Sequence, residues 1–390
     1  MNEYFADLHI HIGASQNGKP VKITASNNLT FPNIVKESSR RKGLDLIGII
    51  DCASPRVQND IEKMLKQDEI EEIKGGGFNY KDQIVIIPGA EVESREKDGG
   101  MVHYLAYFPF LENLKEFTTI MDQYITNVNL SSQVTGLTGS EILQIVQATE
   151  GVLVPAHVFT PHKSFYGNAV DSYNKVFSKD EWNQIPAIEL GLSADTDLAD
   201  HLSELKDKSF LSNSDAHSVP KIAREYNIFK MKDLNFNEFR QTLFREGNRK
   251  VKTNFGLDPR LGKYHRSYCN NCEQKFAIQK SVTVCPKCGK EVIKGVKDRI
   301  LEISDQKINH PEHRGEYIYQ IPLLDIPGIG KKTLQKLLDN FNNEMEVIHN
   351  TSLSDLKNIL NSKLAKKIDL ARRGKAEIIS GGGGKYGKMK

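Results

Sequence analysis

The sequence has 390 residues and no apolar stretch near the roughly 18 to 20 residues of a membrane-spanning helix, which excludes a helical integral membrane protein. Its first residues, MNEYFADLHIH, lack the basic-then-apolar pattern of a secretory leader, so a cytoplasmic location with no membrane partner is expected. Cysteine is scarce. Only five are present, four of them in two close pairs, which excludes a disulfide-stapled scaffold and fits four metal ligands plus one free thiol. A strong net charge is missing too, at +3, and with 38% apolar and 26% charged residues the chain reads as an ordinary globular protein.

The small net charge hides a division. Residues 1–248 carry 25 Lys and Arg against 35 Asp and Glu, whereas the remainder carries 28 against 15. A basic half beside an acidic one is the footprint of a polyanion partner such as nucleic acid. The length favours one large catalytic domain with smaller modules. The segments expected are a barrel over 1–248, a four-cysteine module with its linker over 249–320, a helical DNA-binding domain over 321–379 and a flexible glycine-rich tail over 380–390.

Within the first segment one pattern recurs: a short β-prone run ending in histidine or acid. YFADLHIH ends at His9 and His11, LDLIGIID at Asp51, IVIIPGAEVE at Glu91 and Glu93, and MVHYLAYF carries His103. GVLVPAH ends at His157, AIEL carries Glu189, and FLSNSDAH ends at Asp215 and His217. Helix-like stretches such as NIVKESSRRKG and SEILQIVQATEG lie between them, which predicts βα units around a parallel sheet, closed as a barrel whose strand ends meet at one mouth. Strand side chains alternate, so His-x-His and Asp-x-His each put two ligands on one face. With Asp51, Glu91, His103 and His157 at equivalent ends, the set predicts a site for two or three divalent ions, zinc, manganese or magnesium, with Glu91 able to bridge two. Such a site suits phosphoester hydrolysis. In the loop after His157, the rings of Phe159, Phe165 and Tyr166 are candidates for stacking an extruded base, with core packing as the equal alternative.

Cys269-x2-Cys272-x12-Cys285-x2-Cys288 has zinc-ribbon spacing, and four thiolates close a structural zinc site. Lys263, His265, Arg266, Lys275, Lys280, Lys287 and Lys290 surround it, favouring phosphate contact. In LLDIPGIGKKTLQKLLDNF, apolar residues at helical spacing flank Gly328-Ile329-Gly330, and Lys331 and Lys332 follow. The free amides of the next helix can hold a phosphate there, as in a helix-hairpin-helix DNA-backbone binder. A degenerate copy is read in LSDLKNILNSKLAKKIDLARR. No partner-binding peptide stands out.

DLHIH, GIIDC, PGAEVES, MVHYLAYF, PAHVFTPH and SNSDAHS, in this order over residues 4–218, resemble the motifs of the PHP phosphoesterase family. The resemblance implies a distorted seven-stranded βα barrel, a trinuclear site and the ligands His9, His11, Glu91, His103, His157, Asp215 and His217. The chain departs from that pattern by having Asp51-Cys52 in place of Asp-His and no further histidine within residues 13–20. Barrel, zinc module and helix-hairpin-helix elements in this order resemble DNA repair endonucleases of that family. This implies incision of double-stranded DNA 5′ to deaminated bases such as uracil, hypoxanthine and xanthine, and at abasic sites, with Asp215 as the residue that binds metal and handles the attacking water. A small-molecule phosphoesterase of the histidinol-phosphatase kind and a non-catalytic DNA-binding scaffold are the alternatives.

Overall fold

The computed structural model describes residues 1–276 and 282–390, so Lys280 of the basic set lies outside them. Each acid- or histidine-ended run is a strand. Asn2–Ile10 pairs in parallel with Leu46–Ile49, and that strand in parallel with Ile84–Arg95. Ile84–Arg95 lies antiparallel to Met101–Tyr107, which lies antiparallel to Val152–Pro155. Ala187–Glu189 and Ser209–Leu211 form a separate parallel pair. A few backbone bonds close the ring: Val158 N–H donates to Glu189 O at 2.9 Å, His11 N–H to Ala216 O at 3.1 Å and Ala216 N–H to His9 O at 3.1 Å. The result is an α/β fold with a distorted seven-stranded barrel. One apolar cluster takes Leu8, Leu46, Ile87, Leu105, Val154, Ala187 and Leu211, one from every strand, so it fills the barrel; Phe236, Phe239 and Leu243 of the helix Phe236–Phe244 join it.

Two local rules set the elements around it. Thr138 and Glu141 cap each other at the start of the helix Gly139–Ala148, and Gly43, at φ 78°, supplies the left-handed residue that ends the first helical stretch. The expected all-parallel sheet is corrected at one place. Residues 96–100 leave no room for a crossover helix, so Ile84–Arg95 and Met101–Tyr107 are a hairpin.

The boundary expected at 248 and the linker expected after it do not match the structure. Lys250–Gly256 is a strand that pairs antiparallel with Tyr226–Met231, itself paired with the start of Asn2–Ile10, and Glu316–Tyr319 adds to its far side. The turn residues that suggested a linker begin only at its end, and Val251, Thr253 and Phe255 are buried. The C-terminal half therefore adds two strands to the barrel's own sheet. Its helices are Val296–Ile303, Lys331–Phe341, Leu353–Ile359 and Ser362–Arg372. Before Gly328 there is only a 3₁₀ turn, Leu323–Asp325, because Pro322 and Pro327 bracket it.

The tail, expected to be flexible, is placed. Ile378–Ile379 pairs with Lys388–Met389, Met389 is buried, and Gly381 and Gly387 donate to Arg260 O and Leu261 O at 2.7 and 2.8 Å. Glycine there permits a tight return held by backbone groups, a signal that composition conceals.

Glu225 is fully buried beside the Tyr226–Met231 strand, accepts one bond from Leu257 N–H at 2.7 Å, and leaves Oε2 without a partner. Burial pushes its pKa up to about 8. A raised folded-state pKa gives stability that is complete below the unfolded value and is lost as pH rises through about 8. In urea melts, wild type should lose stability between pH 5 and pH 8 (roughly that window) relative to Glu225→Gln; parallel profiles would contradict the assignment.

Candidate metal centre

The strand ends deliver two groups of ligands. His9, His11 and Asp215 form one, and Glu91, His103 and His157 the other; within each group one atom per residue lies within 4.8 Å of the rest. Asp215 Oδ1 is 3.5 Å from His9 Nε2 and 3.3 Å from His11 Nε2. Glu91 Oε1 stands between the groups, 2.8 Å from His103 Nδ1, 3.7 Å from His9 Nε2 and 3.9 Å from His157 Nε2. Of the sequence-expected set, Asp51 and His217 fall outside both groups. Asp51 Oδ2 accepts from Ile12 N–H at 2.7 Å and faces His11 Nδ1 at 3.0 Å, while His217 lies at the rim with its ring 4.3 Å from that of His11.

Carboxylates behind the rings fix which nitrogen faces the centre. Glu189 meets His9 Nδ1 at 2.9 Å, Asp51 meets His11 Nδ1, and Glu93 meets His103 Nε2 at 3.0 Å. Each holds one ring nitrogen as a donor and leaves the other as a lone pair, the usual support of a metal-binding imidazole. Glu189 also accepts from His157 N–H at 2.9 Å.

The field at the site favours cations. Burial disfavours the His9 imidazolium, yet Glu189, Asp215 and Glu91 outweigh it and push the pKa up to about 10. Glu91 and Asp215 are held well below the carboxylate range, since neighbouring histidines outweigh their burial. These residues suit the divalent ions expected; when bound, such ions polarise a phosphoryl oxygen and acidify water.

Sequence reasoning missed two cations. Lys22 Nζ donates to Glu91 Oε2 at 2.5 Å, from a polar loop whose pattern gave no sign of it. Arg224 donates to Ser214 O at 2.6 Å and Asp215 O at 3.2 Å, steadying the strand end that carries Asp215.

The aromatic loop is a correction. Phe159, Phe165 and Tyr166 are 1%, 0% and 0% exposed, so they cannot stack a base in this structure. Phe165 stacks on Trp182 and Phe177, and Tyr166 donates its hydroxyl to Glu204 at 2.6 Å. Large rings in a loop that crosses a helical layer gain more from burial than from the mouth. His162 is the exposed ring of that loop, set edge-on to Tyr264.

Cys269, Cys272, Cys285 and Cys288 converge, with Sγ pairs 3.5 and 3.9 Å apart, compatible with one tetrahedral ion. At the hairpin Gly328 has φ 103°, Ile329 is buried, and Gly330, Lys331 and Lys332 are exposed. No side chain caps the helix Lys331–Phe341, so its first amides are free; in the second copy Asn361 caps Leu364 N–H at 2.9 Å.

No protein-family model matches the chain. The uncharacterised protein YqxK of Bacillus subtilis is 43% identical over 394 aligned positions that span both chains fully. The crystal structure of the lesion-specific endonuclease PfuEndoQ from Pyrococcus furiosus is 34% identical with a TM-score of 0.85, covering 100% of this chain and 95% of that one. The chain belongs to the endonuclease Q family. A structure of endonuclease Q with a 27-mer duplex carrying an abasic lesion at the active site matches with the same TM-score and identity, over 100% and 96% of the two chains.

In this member of the endonuclease Q family Cys52 is a buried thiol. It is 0% exposed within the apolar core and belongs to neither ligand group of the barrel. Two residues of these candidate groups sit on strained backbone, His157 at φ 30° and Asp215 at φ 45°, as functional positions often do. Gly191, at φ 79°, makes room for the first: a Cβ there would meet His157 Cβ at 2.9 Å. Gly191→Ala is expected to displace His157 and lower the number of divalent ions bound per chain while leaving the far-UV dichroism unchanged; an unaltered ion count would refute this role.

Proposed function

We propose that the chain is a metal-dependent DNA repair endonuclease that incises duplex DNA on the 5′ side of deaminated bases, namely uracil, hypoxanthine and xanthine, and at abasic sites. The observation that carries the reading is the pairing of a two-group ligand cluster with full-length likeness to a lesion-specific endonuclease. That an endonuclease Q holds an abasic duplex at its active site supports DNA as the substrate. The small-molecule alternative leaves the basic half idle, although that half shares the barrel's sheet.

In this account the chain's own groups divide the work. His9, His11 and Asp215 hold one of two divalent ions, Glu91, His103 and His157 the other, and the four cysteines a structural zinc. Asp215, whose side chain is 30% exposed against 1% for Glu91, reaches the mouth and aligns or deprotonates the attacking water. Gly328 to Lys332, a glycine turn that feeds the uncapped start of the helix Lys331–Phe341, grip phosphates without reading sequence in the manner of a helix-hairpin-helix element, and the zinc module's basic residues continue that grip. A damaged base leaves the stack at lower cost than a paired one, which contributes to selection. His162 and Tyr264, rather than the buried rings, are the aromatic groups available to meet it.

Two tests apply. Labelled duplexes that differ only in uracil against thymine, or hypoxanthine against adenine, should be cut at the lesion alone and only without chelator, and Asp215→Asn should bind them but not cut; cutting of undamaged duplex at the same rate, or an active Asp215→Asn, would sink the proposal. Removing both Lys331 and Lys332 should weaken binding equally for damaged and undamaged duplex and reduce the salt slope of the affinity by about 2. An unchanged slope would place the phosphate grip elsewhere.

A further inference from the structure

The Glu91 carboxylate uses its two oxygens differently. Oε1 faces His9, His103 and His157, whereas Oε2 is held by Lys22 Nζ at 2.5 Å and by the Ser132 hydroxyl. Lys22 Nζ is also 2.5 Å from Ser132 Oγ, and its side chain is 12% exposed against 1% for Glu91. A lysine so deeply set among metal ligands is costly to place unless its charge is used, because burying an ion costs several kcal/mol before pairing, roughly. Asp51 Oδ1, in the same pocket wall, is buried and has no hydrogen-bond partner.

The two ligand groups account for two ions. Nothing among the described residues completes a third group: Asp51 is committed to His11 and Ile12 through Oδ2, Cys52 is a core thiol, and the oxygen of Glu91 that a further ion would need carries Lys22. We infer that Lys22 is a built-in cation of this centre, occupying Glu91 Oε2 where a further ion would otherwise bind, so that the barrel operates with two exchangeable divalent ions and one fixed ammonium. The inference rests on the nuclease reading above. Lys22 is in this account a positioning residue: it turns Glu91 so that Oε1 is shared by the two ligand groups, and it adds positive charge that chelators cannot remove. Two of its three N–H groups are committed, to Glu91 and to Ser132.

The test counts ions and turnover on the full-length chain. Elemental analysis after reconstitution with zinc or manganese should find three ions per wild-type chain, two in the barrel and one on the cysteines. Lys22→His supplies an imidazole beside Glu91 Oε2 and Asp51 Oδ1, and should raise the count to four. Lys22→Met should keep lesion-duplex binding and lose about 100-fold in kcat with little change in KM, the scale of losing one preorganised charged group, and Lys22→Arg should restore part of that loss. A wild-type count of four, a count of three in Lys22→His, or a Lys22→Met variant with wild-type kcat would each overturn the inference while leaving the nuclease reading intact. A wild-type chain holding only the cysteine-bound ion and cutting no lesion duplex would overturn the nuclease reading, and this inference with it.

Discussion

Everything in the barrel answers to one electrostatic constraint: Glu91, Glu189, Asp51, Glu93, His9 and His11 are nearly inaccessible to water, yet they crowd around one another. Carboxylates and imidazoles taken out of water cost several kcal/mol each, roughly, unless opposite charge and directed hydrogen bonds compensate. The protein compensates partly by itself, pairing His9, His11 and His103 with outer acids and setting Lys22 and Lys163 against Glu91 and Glu93. The carboxylates that raise the His9 pKa against its burial describe a pocket that favours positive charge, and its two ligand groups could hold it as divalent cations. Strand ends must meet at one mouth for this to hold, and seven of them do.

The scaffold ties that mouth to the C-terminal helical segment. Because Lys250–Gly256 and Glu316–Tyr319 continue the sheet that begins at Asn2, the helical segment is not tethered by a loose linker. A buried pair, Lys42 Nζ with Glu344 Oε1 at 2.8 Å, joins the first helical stretch to it, and Arg299 donates to Tyr166 O from the helix that follows the cysteine module. Even the tail takes part: Tyr386 accepts a bond from Arg224, the arginine that also holds the carbonyl of Asp215. Under the proposed function such rigidity would fix the register in which a single phosphate reaches the candidate ligands.

Much of this was legible in the chain. Short β-prone runs that carry His, Asp or Glu marked all seven strands and the side chains of His9, His11, Glu91, His103, His157 and Asp215 that converge as two candidate ligand groups, because few other arrangements justify acids and imidazoles on buried strands. The cysteine spacing was equally plain. What escaped depended on tertiary context. The Ile84–Tyr107 hairpin and the Lys250–Gly256 strand reverse or extend the sheet through pairing that no local pattern encodes, and the tail is held by backbone bonds that glycine-rich composition does not display. Phe159, Phe165 and Tyr166 look the same in sequence whether they stack a base or fill a core, and only the position of Trp182 and Phe177 decides it. Lys22 was invisible for a related reason: a lysine in a polar loop carries no mark of the buried glutamate it will meet.

The central claim is convergence around cations, and diffraction tests it most directly. Crystals grown with manganese should give anomalous peaks about 2.0 to 2.2 Å from the ligand atoms of His9, His11 and Asp215 and of Glu91, His103 and His157, with a separate zinc peak among the four cysteines. A map in which the cysteine peak stands alone, or in which the barrel histidines turn away from any ion, would contradict the account.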